Sequence, residues 1–149
     1  MKADVRRKAT PKGKGRIVET RRAGKNHAVI QVVGARGDLY RREPCATCPW
    51  RVDAVGEFPA EAFRISASTS YDMSQTTFAC HESGSEKPAT CAGFLLRAEH
   101  NFTVRMKLAQ REIDPVAVSN GGHELHEDYR AMAVANGVDA DDPVLRECR

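Results

Sequence analysis

Two prolines bracket a pair of cysteines at residues 44–49, in the stretch PCATCPWR. No other feature of the chain restricts its fold as much. Proline has no N–H for a helix or central strand, and it pushes the residue before it out of the α region. The segment must therefore be a loop. A C-x-x-C loop turns both sulfurs to one side and aims backbone N–H groups at them, which favours the thiolate. Thiolate is the form that binds a metal. The prolines also argue against a thioredoxin-type dithiol, in which the C-x-x-C opens a helix after a strand. A C-x-x-C-H haem attachment is excluded, because position 49 is proline.

Three more cysteines follow: Cys80, Cys91 and Cys148. The short apolar run QTTFAC predicts a strand ending at Cys80, and a helical pattern begins at Cys91. Four thiols at loops and element ends, Cys45, Cys48, Cys80 and Cys91, are expected to converge on one metal centre. Ten residues separate Cys80 from Cys91, so the second C-x-x-C of a zinc ribbon is missing. That departure favours a 4Fe–4S cluster over zinc, since a cluster takes thiolates from several elements, and a proline also follows ligating cysteines in ferredoxin-type runs. His81 adjoins Cys80. It either replaces one thiolate as a ligand or hydrogen-bonds to a sulfur from outside the ligand set. Cys148, the penultimate residue, is expected to be mobile and has no assigned role.

The rest of the chain reads as an α+β domain, small and helix-dominated, with a short β-hairpin, organised around the four-cysteine metal site. HAVIQVV predicts a strand, with LYR after the GARGD turn as its partner. FPAEAFRISAS predicts a helix to about residue 68, with Pro59 in its first turn. CAGFLLRAEHNFTVRMKLAQREI predicts one long helix from a Thr90 cap. HELHEDYRAMAVANGV predicts another, closed by Asn136 and Gly137. Its HELHE start is not a zincin motif, because His123 and His126 are three apart rather than four.

Several polar residues lie near the cysteines. Trp50 is either a core anchor for its loop or a shield that keeps water from a metal. Arg51 places a positive charge beside the thiolates, binds a phosphate, or pairs with a surface acid. Asn101 and Arg105 share a helix face, with His100 beside it, so the three are candidates for contact with an anion or a partner. The alternative is a solvated helix face.

Charge is unevenly spread. Residues 1–27 hold ten Lys/Arg against two Asp/Glu, while the rest of the chain is acidic. We expect residues 1–27 to be a basic flexible arm and residues 28–149 to form a single metal-binding domain. Such an arm suits nucleic-acid phosphates or an acidic protein. No apolar run approaches the length of a membrane span, and no apolar segment follows the basic N-terminus as in a secretory signal. A cytoplasmic location is expected, where clustered cysteines indicate metal or redox chemistry more than disulfides.

The motifs PCATCPWR, FACHES and CAGFLL, together over about residues 43–111, resemble a family of small uncharacterised proteins of actinobacteria and their phages. That resemblance implies a shared four-cysteine site and, for a phage protein, a location in the bacterial host cell. The chain is also distantly similar to WhiB-like iron–sulfur regulators, whose C-x-x-C is central among the ligands rather than first. Three roles follow from the residues and the resemblance. One is a metal-binding module that contacts nucleic acid. The second is a host-protein-interacting module with a structural metal. The alternative is an enzyme, iron–sulfur or thiol-dependent, acting on a small molecule or nucleic acid near His81, His100 and Arg105.

Overall fold

The computed structural model describes residues 13–35 and 39–149. Residues 1–12, part of the expected arm, and 36–38, part of the expected GARGD turn, lie outside the described residues. The order of elements is a hairpin, then four short helices joined by loops and single 3-10 turns. This is the mixed, helix-richer domain that the sequence predicts.

The hairpin pairs β1 (Arg16–Arg22) with β2 (Ala28–Val33) in antiparallel register, with a shift between Ile17 and Glu19. The strand HAVIQVV therefore forms, but its partner is a stretch expected to be flexible. LYR pairs elsewhere: Tyr40 bridges Thr90 instead. The Arg16–Arg22 stretch alternates apolar and polar residues only briefly, and a bulge interrupts it, so its strand period was hidden.

Helix α1 (Ala60–Ser66) follows Pro59, carries Glu61 in its first turn and buries Phe63. The predicted long helix from residue 91 is broken in two. Helix α2 (Ala92–Leu95) starts at Cys91, and α3 (Phe102–Ala109) starts at Asn101, whose side chain accepts from the Val104 N–H. Asn is among the strongest N-caps, so a second start inside the run is local chemistry prevailing over periodicity. The segment QTTFAC is not a strand; only Ala79 bridges Thr90. Helix α4 (Tyr129–Ala135) is capped by Asp128 and ends as expected at Asn136, before Gly137 at φ +101°. HELHE precedes this helix in an extended segment, where Leu125 bridges Arg51.

The core gathers side chains from every helix and from the cysteine loops. Trp50, Phe63, Phe94, Val104, Tyr129 and Met132 form its centre with Cys48 and Cys91. The Trp50 ring meets Phe78 and Tyr129 edge-on at centroid distances of 6.2 and 5.8 Å. Tyr129 Oη donates to the Phe63 carbonyl at 2.6 Å, which locks α4 onto α1. The C-terminal residues are part of this packing. Cys148 is only 8% exposed, and its backbone bridges Tyr71, contrary to the mobility expected of it. Among the described residues no helix is long and apolar enough to cross a membrane.

Candidate metal centre

The PCATCPWR loop folds as two tight turns, with the Cys48 N–H on the Cys45 carbonyl at 3.1 Å and the Arg51 N–H on the Cys48 carbonyl at 3.0 Å. This conformation aims the N–H groups of Trp50 and Arg51 at the Cys48 sulfur. Cys91 repeats the arrangement at the start of α2, where the N–H groups of Gly93 and Phe94 face its sulfur. The two sulfurs lie 3.6 Å apart and are buried. A residue with no side chain makes this approach possible. A Cβ on Gly93 would stand 2.5 Å from the Trp50 Cβ, so α2 can rest on the tryptophan loop only with glycine there.

Cys80 is brought in by backbone pairing. Its N–H donates to the Ala89 carbonyl at 2.7 Å, and the Cys91 N–H donates to the Phe78 carbonyl at 2.9 Å. These bonds hold residues 78–80 alongside 89–91 and place Cys80 against Cys45. The four thiols therefore meet as two pairs, Cys48 with Cys91 in the core and Cys45 with Cys80 nearer the surface. All are free thiols.

His81 closes the outer side. Its Nε2 hydrogen-bonds with Thr47 Oγ1 at 2.7 Å, and its Nδ1 lies 3.9 Å from the Cys45 sulfur. The ring also packs edge-on against Phe58 at 5.0 Å. The ligand atoms of Cys45, His81 and Glu82 all lie within 4.8 Å of one another, a group able to hold a metal. Glu82 and Thr47 were missed from the sequence. The run C-H-E was the available signal for Glu82; nothing in the linear order of residues links Thr47 to a histidine thirty-four positions away.

The electrostatics divide the thiols. Cys48 is held below its ordinary value, first by a hydrogen bond with Cys91, then by the Trp50 and Arg51 N–H groups and the Arg51 charge, against an opposing effect of burial. Cys91 is pushed well up by its hydrogen bond with Cys48 and by burial. Burial and the charges of Cys80 and Cys48 push Cys45 up to about 12. Ionisation of one thiol thus suppresses that of its neighbours, since like charges in a shared site cannot all form unaided. A bound cation lifts that restriction.

The remaining candidates divide sharply. The Arg51 side chain is 12% exposed, grips Asp53 through two bonds of 2.7 and 2.6 Å, and donates to the Cys45 carbonyl at 3.3 Å. It braces the loop. Asn101 is fully buried: beyond its cap it donates to the carbonyls of Thr69 and Thr76. His100 Nε2 bonds to the Ser70 carbonyl at 2.8 Å. Arg105 is exposed and lies 3.6 Å from the Met73 sulfur. The three do not share one helix face, because only Arg105 lies within α3. Trp50, 1% exposed, is a core anchor that also walls the thiols.

A family described as a family of unknown function, DUF6283, has a model that matches residues 40–149, which includes all four clustered thiols and the whole core. Comparison with curated proteins finds no match, and comparison with solved structures finds none.

Proposed function

The chain belongs to that family of unknown function, and we propose that its four clustered thiols hold a metal ion whose role is to tie the domain together. The observation that carries this reading is the 3.6 Å separation of the Cys48 and Cys91 sulfurs, each faced by two backbone N–H groups. Zinc–thiolate bonds of about 2.3 Å in a tetrahedron put neighbouring sulfurs about 3.8 Å apart. Two sulfurs this close suit one shared ion. In a 4Fe–4S cube each cysteine takes a different iron, which keeps the sulfurs further apart, so zinc becomes the favoured occupant.

The ligands of this centre are Cys45, Cys48, Cys80 and Cys91. His81 orients Cys45 from outside, with Arg51 neutralising part of the thiolate charge. The metal's contribution is folding energy. No helix among the described residues exceeds eight residues, and helices this short have little stability of their own. A cross-link from residue 45 to residue 91 supplies what the short elements lack.

The pairing of thiols favours a second reading, a two-iron, two-sulfide cluster with two cysteines per iron. Metal analysis of protein purified without oxygen separates the two. One zinc per chain and no visible colour supports the first. Two irons with strong visible absorption supports the second. Protein that is folded, metal-free and indifferent to added zinc sinks both. Cys48→Ser and Cys91→Ser abolish binding on either reading. His81→Ala and Glu82→Gln reduce it severely only if the outer Cys45, His81 and Glu82 group is the real site.

A further inference from the structure

The β1–β2 ribbon differs in chemistry from everything it is attached to. Residues 13–35 carry five Lys/Arg against one Glu, whereas residues 39–149 carry twelve Lys/Arg against seventeen Asp/Glu. The ribbon also precedes the family-matched region, which begins at residue 40.

Its exposure is unusual for a sheet. Every residue of β1 is exposed, and in β2 only Val29 and Val32 are half-buried. No third strand pairs with either edge among the described residues. Ile17, Val18, Ile30 and Val33 are 37–49% exposed. An isolated two-stranded hairpin is at best marginally stable in water, so this one is held at its ends. At the turn, Ala23 is fully buried and His27 packs edge-on against Phe58 at 5.7 Å. At the open end, the Gly15 N–H donates to the Glu86 carbonyl at 2.6 Å, and Lys14 pairs with Glu86 at 3.1 Å. Between these anchors β2 also lies against α1, with Val29 and Val32 half-buried and Arg21 beside Glu61, Arg64 and Ile65, while the rest of the ribbon and both its edges stay open among the described residues.

Its cations are largely uncommitted. Arg21 sits loosely beside Glu19 at 3.6 Å, and among the described residues Arg22 reaches only the Lys25 carbonyl at 3.4 Å. Arg16 and Lys25 have no acidic partner within salt-bridge distance among the described residues.

We propose that this ribbon is a binding element for duplex DNA and that it enters the major groove. The B-DNA major groove admits a two-stranded β-ribbon. Seven strand residues at about 3.3 Å each span about 23 Å, close to seven base pairs of groove. Arg16, Arg21, Arg22 and Lys25 reach the flanking phosphates, while the β-branched side chains offer the apolar surface that meets thymine methyl groups. Duplex RNA is disfavoured, because its major groove is too deep and narrow for side chains to read. An acidic protein would be drawn by the same charge, but it does not require a two-stranded ribbon with both edges open. DNA binding by the ribbon does not depend on a metal at the thiols.

The test is fluorescence anisotropy of a labelled 20-base-pair DNA duplex titrated with the full chain at a series of salt concentrations. Two full-length variants accompany it. One is Arg16→Ala, Arg22→Ala and Lys25→Ala combined, all at exposed positions; the other is Arg6→Gln, Arg7→Gln and Lys8→Gln combined. The ribbon variant is expected to bind at least tenfold more weakly, with a salt slope shallower by about 0.9 for each phosphate it no longer neutralises. Methyl green, a major-groove ligand, should displace the protein, and netropsin, a minor-groove ligand, should not. A thermal melt of the ribbon variant that matches the parent's guards against misfolding. The proposal is overturned if the parent fails to bind duplex at low salt, or if the ribbon variant binds as well as the parent. It is likewise overturned if only the Arg6, Arg7 and Lys8 variant loses affinity. Self-association abolished by the ribbon substitutions, without duplex binding, would overturn it too and assign the surface to a second copy of the chain.

Discussion

The ribbon and the thiol-centred body handle the same difficulty in opposite ways. Both are made of elements too short to stand alone. The body brings its pieces together around buried groups: two sulfurs at 3.6 Å, a tryptophan pressed on a glycine, and an asparagine shared between three backbone segments. The ribbon buries little, being tied at its ends and resting lightly on α1 through β2. Burial concentrates stability where geometry is exact and leaves the exposed element free to vary. Substitutions should therefore be costly in the body and cheap in the ribbon.

The largest effect expected is from the thiols. Structural zinc binds with roughly 10 kcal/mol or more, which is comparable to the whole stability of a small domain. Cys48→Ser, or chelation of the proposed metal, should abolish the cooperative melt followed by circular dichroism. A fully folded serine variant would mean that the body does not depend on its centre.

Asn101→Ala comes next. It removes a helix cap and strands the buried carbonyls of Thr69 and Thr76, at a combined cost of about 3 kcal/mol in denaturant titration. A cost under about 1 kcal/mol would show that water replaces the side chain. Gly93→Ala should cost about 2 kcal/mol through overpacking against Trp50, and should weaken metal affinity by separating Cys48 from Cys91. Retained affinity would show that the loop yields without moving its sulfur.

A smaller effect depends on pH. Burial holds His126 below its ordinary value of 6.5, and its Nε2 has no hydrogen-bond partner among the described residues. The unfolded chain then takes up this proton before the folded one does. Stability is unaffected above about pH 6.5 and falls as pH drops below it. His126→Gln should flatten the acid side of a plot of Tm against pH between about 7 and 5; an unchanged slope would assign the loss to other groups. Last, Ile30→Thr on the ribbon should change stability by no more than about 0.5 kcal/mol. A larger loss would mean that Ile30 itself is packed and that the ribbon's contrast with the body is smaller.

The residues differ in how much they disclosed. The C-x-x-C loop was legible because proline acts locally, and the loop it enforces needs no tertiary partner. The start of α4 was less so, since HELHE has the composition of a first turn yet lies outside the helix. The break between α2 and α3 was hidden because Phe94, Leu95, Val104 and Leu108 satisfy helical spacing whether or not the backbone is continuous. Polar residues were legible as polar but not in direction. His100, Asn101 and Arg97 all turn to backbone carbonyls of distant loops rather than to solvent or a partner. Cys148 was misjudged for a related reason. Position near a terminus says nothing of the Arg149 N–H on the Ser70 carbonyl, or of Tyr71 Oη on the carbonyl of Val144.

By itself the sequence determined which groups were available: thiols held by proline-bounded and helix-opening backbone, and a basic N-terminal stretch on an acidic chain. These are properties of residue type and near neighbours, and short-range sterics decide them. The tertiary structure alone decided that the thiols meet as two pairs, that His81 and Glu82 join the outer one, and that part of the basic stretch is an open ribbon. Those arrangements depend on packing between residues dozens of positions apart, and the local pattern is the same whether such packing forms or not.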